Sequence, residues 1–205
     1  MLTIGLTGPS GAGKGTVAAL FGSYGIPSID TDAVYHSLLV PPSPCLDELA
    51  ARFGPSILTA EGRLDRKALA SLVFAPHHEA ELADLNRIAH RHVLEEARRR
   101  LAVYADEGRA AVLVDAPQLF ESGFDKECHR ILVVLAPYRT RLERVMTRDG
   151  ISREQAEARL NAAHSDEFFR ARADMVMIND GDPTALEAEV QRCLTLWEVN
   201  RERKA

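Results

Sequence analysis

The stretch of this 205-residue chain best equipped for chemistry is Gly8-Pro9-Ser10-Gly11-Ala12-Gly13-Lys14-Gly15-Thr16. Its chemistry is phosphate binding. Glycines let a backbone curl until successive N–H groups point inward at phosphate oxygens, and a helix that follows adds the positive end of its dipole. Lys14 is the mobile point charge that reaches the outer phosphates. Gly8, Gly13 and Lys14 satisfy the spacing G-x-x-x-x-G-K-[ST], with Gly15 where a hydroxyl is usual and Thr16 supplying one a place later. That substitution bears on metal holding more than on nucleotide binding. A glycine-rich surface turn without a ligand is the bland alternative, and the lysine in register between a strand and a helix argues against it.

Other charged groups fall where such a loop could use them. Asp30 and Asp32 stand at the carboxyl end of a second short strand, the edge where open α/β sheets bind ligands. Either could merely cap the next helix, but two carboxylates one residue apart point to function for one of them. Asp115 ends a third strand, a position from which an aspartate orients the magnesium (Mg2+) shell. Arg141, Arg144 and Arg148 recur at i, i+3 and i+7, one helix face, with Arg139 at its start. They lead into Gly150-Ile151-Ser152-Arg153-Glu154, a turn and helix start, as in a lid whose arginines close on a triphosphate. Arg148 is the leading candidate there, ahead of Arg170 and Arg172. His90 and His92, two apart on a helix, point to different sides and cannot share a metal, while His77-His78 reads as a solvated loop. No H-E-x-x-H, G-x-S-x-G or paired Cys/His spacing is present.

The elements that must position these groups follow from the apolar pattern. Strands are expected at 2–6, 26–29, 110–115, 130–135 and 173–178, the first running through the glycine-rich turn into a helix. Pro41, Pro42 and Pro44 break the chain into a loop, after which 46–53 and 67–74 read as helices. Leu82, Leu85, Ile88, Ala89, Val93 and Leu101 keep a helical period, so about 33–105 reads as an inserted helical lobe. Asp182-Pro183 caps a last helix with an apolar stripe of Leu186, Val190, Cys193, Leu194 and Trp197. Five strands with helical crossovers make a three-layer α/β/α sandwich on a five-stranded parallel sheet, a single domain over 1–205 with the lobe inserted and a lid at about 139–172.

A net charge of −5 argues against a general nucleic-acid binder. Cys45, Cys128 and Cys193 lie far apart and read as reduced thiols, not as a disulfide or zinc framework. No apolar run approaches a membrane span, and the chain enters a strand at once without a leader, so a cytoplasmic protein is expected.

Taken together these residues resemble the dephospho-CoA kinase family over nearly the whole chain. The resemblance rests on the phosphate loop, Asp30-Thr31-Asp32, Phe53-Gly54, Gly62-Arg63-Leu64-Asp65-Arg66, Val73-Phe74, Leu85-Asn86-Arg87-Ile88-Ala89-His90, Pro117-Gln118-Leu119-Phe120-Glu121, Arg148-Asp149-Gly150 and the run from Ala173 to Gly181. It departs at Gly15, where serine is usual, giving a Lys-Gly-Thr form common in adenylate kinases. Further departures are Arg91, Gln118, and His164 in place of a lid glutamine. The resemblance implies a phosphate-loop kinase fold and transfer of phosphate from ATP, with magnesium, to the ribose 3′-hydroxyl of dephospho-CoA. It implies Asp32 at the accepting hydroxyl, Lys14 and Arg148 on the developing charge, and Thr16 and Asp115 at the metal. Gly8, Gly11, Ala12, Gly13, Gly15 and Arg144 would hold the nucleotide, with Asn179 near the adenine. Arg66, His90, Leu119, Phe120 and Glu121 would line the acceptor pocket of the helical lobe. Two readings compete: a nucleoside monophosphate kinase, and a nucleotide-binding module without turnover.

Overall fold

The structure is a computed structural model and describes residues 1–199. The chain divides into two compact units, Met1–Asp30 together with the chain from Val103 onward, and Thr31–Ala102.

The first unit is built on five parallel strands, β1 (Leu2–Thr7), β2 (Ser28–Asp30), β3 (Ala111–Asp115), β4 (Arg130–Leu135) and β5 (Met175–Ile178), in the order β2-β3-β1-β4-β5. Their near-continuous apolar runs are those of strands covered on both faces. Alternation along the strands splits the core in two. Ile4, Leu6, Leu132, Val134, Met175 and Met177 face α1 (Lys14–Ser23) and α9 (Pro183–Leu196), meeting Val17, Phe21, Leu186, Val190 and Leu194. Ile131, Val133, Leu135 and Val176 face the other way, against Phe120 and against Phe168 and Phe169 of a short helix, α8 (Asp166–Arg170). This is the three-layer arrangement that the strand pattern predicts. Register places Leu6 and Asp30 both opposite Asp115, so the carboxyl ends of β1, β2 and β3 are level.

Two strands are shorter than the sequence suggests, for local reasons. Pro27 precedes β2 with only a carbonyl to offer, which accepts from Leu113 N at 2.9 Å. Before β5, the Asp174 side chain accepts from Ile131 N at 2.7 Å, replacing a ladder carbonyl. Helix α9 starts as read: Asp182 caps Thr184 N and Ala185 N, with Pro183 in the first turn.

The second unit contains α2 (Thr31–Leu38), α3 (Pro44–Phe53), α4 (Arg66–Val73) and most of α5 (Glu79–Asp106), whose last turn belongs to the first unit. Its core is Leu39, Cys45, Leu49, Ile57, Leu69, Val73 and Ile88. Ser43 caps α3 through Leu46 N, and Asp65 caps α4 through Lys67 N and Ala68 N. The Gly62-to-Arg66 run is thus a turn with a helix cap, closed by a bridge between Leu58 and Leu64. On α5, Arg99 pairs with Glu96, as does Arg100, and not with Glu95 as the i,i+4 spacing suggests.

All three cysteines are free. Burial pushes Cys45 up to about 11 and both Cys128 and Cys193 up to about 12, so none is a ready nucleophile.

Candidate active site

The loop between β1 and α1 is shaped by three glycines that nothing else could replace. Gly8, Gly11 and Gly13 have φ of +145°, +78° and +94°. A Cβ on Gly8 would lie 2.1 Å from Val134 O, one on Gly11 2.7 Å from Arg141 O, and one on Gly13 2.0 Å from Asn179 Nδ2. Gly15 is different: a Cβ there meets nothing within 4 Å, and its φ is not left-handed.

The loop's carbonyls are committed to the protein. Gly8 O accepts from Lys14 Nζ at 3.1 Å, and Pro9 O from Ala12 N at 3.2 Å. Arg144 Nη1 donates to Gly11 O at 3.2 Å and to Ala12 O at 3.4 Å, Asn179 Nδ2 donates to Ala12 O at 2.9 Å, and Arg144 Nη2 donates to Asn179 Oδ1 at 3.2 Å. Gly13 O accepts from Thr16 N and Val17 N. The amides of Gly11, Gly13 and Gly15 meet no carbonyl among the described residues. Carbonyls tied outward and amides left over at a helix start make a cradle for an anion.

The helix of arginines, α6 (Tyr138–Asp149), lies along the outer side of this loop. Its three face arginines have three different jobs. Arg141 is buried, its Nη2 3.3 Å from Asp166 Oδ1 and its guanidinium 5.8 Å from the centre of the Tyr138 ring, so it is a structural ion pair. Arg144 holds the loop backbone. Arg148, exposed, donates from Nη2 to Ser10 Oγ at 3.3 Å and is gripped by Asp149. Side-chain hydrogen bonding to Arg148, then the charges of Arg148 and Arg159, hold the Asp149 carboxyl below the usual carboxylate range. Leu142 and Val145 pack α6 on Ala156 and Leu160 of α7 (Arg153–Asn161). Ser152 and Gln155 form a capping box at the start of α7.

Thr16 presents its hydroxyl from the exposed first turn of α1, and Asp115 stands at the level carboxyl ends of the strands. No group of three or more His, Cys, Asp or Glu among the described residues is arranged to hold an ion alone. A hydroxyl and a carboxylate suit magnesium, which completes its shell with phosphate oxygens and water.

Other expected residues are placed as follows. Asn179, expected near adenine, is buried with its amide on the loop backbone. Leu119, Phe120 and Glu121 belong to the sheet unit. Leu119 is wholly buried, its methyl 2.9 Å from where a Cβ on Gly5 would sit, so it packs the sheet and does not line a pocket. Phe120 packs edge-on to Phe168, and Glu121 Oε1 lies 3.0 Å from His164 Nε2. His164 in turn stacks on Phe168, which carries Arg172 at 3.9 Å. In the helical unit, Asp32 is in the first turn of α2, where a carboxylate suits the helix dipole. His90 lies on α5, and Arg66 Nη2 is 3.1 Å from His36 Nδ1. Arg66 and His36 edge an apolar groove of about 140 Å3, lined also by Tyr35, Leu64, Phe74 and Leu85. In the sheet unit Ser10 and Asp149, and in the helical unit His36, are polar groups to which the sequence pattern assigns no role.

A parallel sheet whose central strand feeds a glycine-rich phosphate cradle, flanked by an arginine helix, defines a phosphate-loop kinase. A family model described as CoaE, dephospho-CoA kinase, matches residues 2–184. A dephospho-CoA kinase of Thermobifida fusca is 40% identical over 198 residues, covering 97% of this chain and 96% of the relative. Among solved structures, TT1252 from Thermus thermophilus superposes with a TM-score of 0.80 at 36% identity, over 95% of this chain and 97% of that one. Dephospho-CoA kinase from Campylobacter jejuni follows at 0.68 and 25%, over 94% and 95%. The chain belongs to the dephospho-CoA kinase family.

Proposed function

We propose that the protein transfers the terminal phosphoryl group of ATP to the ribose 3′-hydroxyl of dephospho-CoA, giving CoA and ADP. The observation that carries this reading is the loop Gly8–Thr16, whose carbonyls are bonded to the protein while the amides of Gly11, Gly13 and Gly15 meet no carbonyl among the described residues, in a chain of this family. A new bond forms between the 3′-oxygen and the terminal phosphorus. The bond from that phosphorus to the bridging oxygen breaks, and the hydroxyl proton passes to Asp32. ATP brings the transferable group; Thr16 and Asp115 would hold magnesium, whose charge would stabilise the outer phosphate oxygens. Lys14 and Arg148 meet the charge that develops on the transferred oxygens. Because the transition state is loose, Asp32 acts chiefly by holding the hydroxyl in line. The helical unit is the acceptor lobe, with Arg66 and His90 its polar groups, and α6 to the short helix Asp166–Arg170 form the lid. No helix among the described residues is long and apolar enough to cross a membrane.

The test is ADP release from ATP and magnesium with dephospho-CoA, with AMP, and with neither. Stimulation by dephospho-CoA with CoA as product is the expected result. Stimulation by AMP alone overturns it in favour of a monophosphate kinase, and ATP binding without turnover overturns it in favour of a binding module.

A further inference from the structure

Asp149 is the last residue of α6, just before the left-handed Gly150. A carboxylate there meets the negative end of the helix dipole, where basic residues are the favourable choice. Two guanidiniums offset the mismatch. Oδ1 accepts from Arg148 Nε at 2.7 Å, Oδ2 accepts from Arg148 Nη2 at 2.9 Å, and Arg159 Nη1 of α7 reaches the same Oδ2. The carboxylate is 21% exposed and therefore largely screened from competing water. It is not needed to join the two helices, since Leu142, Val145, Ala156 and Leu160 already pack them and the capping box fixes the turn. What it does fix is the Arg148 fork. The bidentate grip leaves Nη2 against Ser10 of the phosphate loop and Nη1 without a partner among the described residues. Arg159, sharing Oδ2, is drawn to the same place.

We propose that Asp149 is a positioning residue of phosphoryl transfer, holding Arg148 and Arg159 as a paired guanidinium clamp at the mouth of the Gly8–Thr16 loop for the terminal phosphate. This rests on the ATP reading above. An arginine that must be ordered by its ligand loses rotamer freedom on binding, and one already fixed by a carboxylate loses less. The trio keeps a net charge of +1, so the clamp attracts phosphate without the mutual repulsion of two unpaired cations.

Calorimetric affinities for ADP and for a non-hydrolysable ATP analogue, with kcat and KM for ATP, test the proposal on wild type, Asp149→Asn, Asp149→Glu, Arg148→Ala and Arg148→Ala/Asp149→Asn. Asp149→Asn is expected to weaken analogue binding about tenfold while ADP binding changes by less than about twofold, and to lower kcat more than it raises KM. Asp149→Glu should recover most of both losses, and Asp149→Asn should add less than about twofold once Arg148 is gone. Equal losses for ADP and analogue, or an undiminished effect without Arg148, would overturn it. A protein that shows the expected affinity pattern yet makes no CoA retires the acceptor reading and leaves the clamp standing. One that makes CoA with additive losses does the reverse.

Discussion

Asn179 Nδ2 donates to Ala12 O at 2.9 Å, joining the end of β5 to the phosphate loop across 167 positions of chain. Arg144 completes a triangle by bonding both partners. Asn179→Ala removes a donor and an acceptor from a buried site, a loss on the order of 1–3 kcal/mol. The expected outcome is a lower thermal midpoint with ADP and ATP binding weakened alike. If Asn179 touched the base, the variant would instead change the preference for ATP over GTP at unchanged stability.

Gly13 and Gly15 are predicted to respond in opposite ways. Gly13→Ala puts a Cβ 2.0 Å from Asn179 Nδ2 in a left-handed backbone and should abolish nucleotide binding. Gly15→Ser meets open space within a helix and should raise stability by about 0.5 kcal/mol. Its hydroxyl should also lower the magnesium concentration that half-saturates activity. A magnesium titration of the two variants beside wild type checks both statements, and an unchanged half-saturation in Gly15→Ser would show that Thr16 already fills the role.

Asp32→Asn is expected to reduce kcat by roughly 10²-fold or more while leaving ATP affinity unchanged. Activity that survives almost intact would remove Asp32 from the chemistry and return it to a helix-dipole role.

Acid should weaken the long helix where Glu96 sits. The Arg99 hydrogen bond, with Arg100 and both charges behind it, lowers its carboxyl from 4.5 to about 2. A depressed folded value means that the stabilisation is fully present above 4.5 and is lost as pH falls toward 2. Thermal midpoints of wild type and Glu96→Gln, measured from pH 7 down to about 2, should differ at the upper end and converge at the lower. A constant gap across the range would show that the pair does not carry the effect.

The sheet and the loop are legible in the sequence because their signals are local. The runs at β3 and β4, the glycine spacing before Lys14, and the caps Ser152 and Asp182 each announce themselves within a few residues. The work of the α6 arginines is not local. Spacing puts Arg141, Arg144 and Arg148 on one face, but Asp166, Asn179 and Asp149 decide which is buried, which grips backbone and which stays at the surface. Leu119 is hard to place for a related reason: it follows a strand's carboxyl end, where ligands bind in such sheets, and only the bare face of Gly5 reveals the space it fills. Asn179 carries a position signal, one residue past β5, without saying whether its amide turns to ligand or to loop.

A loop whose carbonyls are already bonded has little left to freeze when an anion arrives. Its conformational cost is met during folding, by contacts with β4, β5 and α6. On the proposed reading, nucleotide capture at this site is closer to key-in-lock than to folding upon binding. Encounter and charge, not rearrangement of the loop, then set how fast the phosphates are seated.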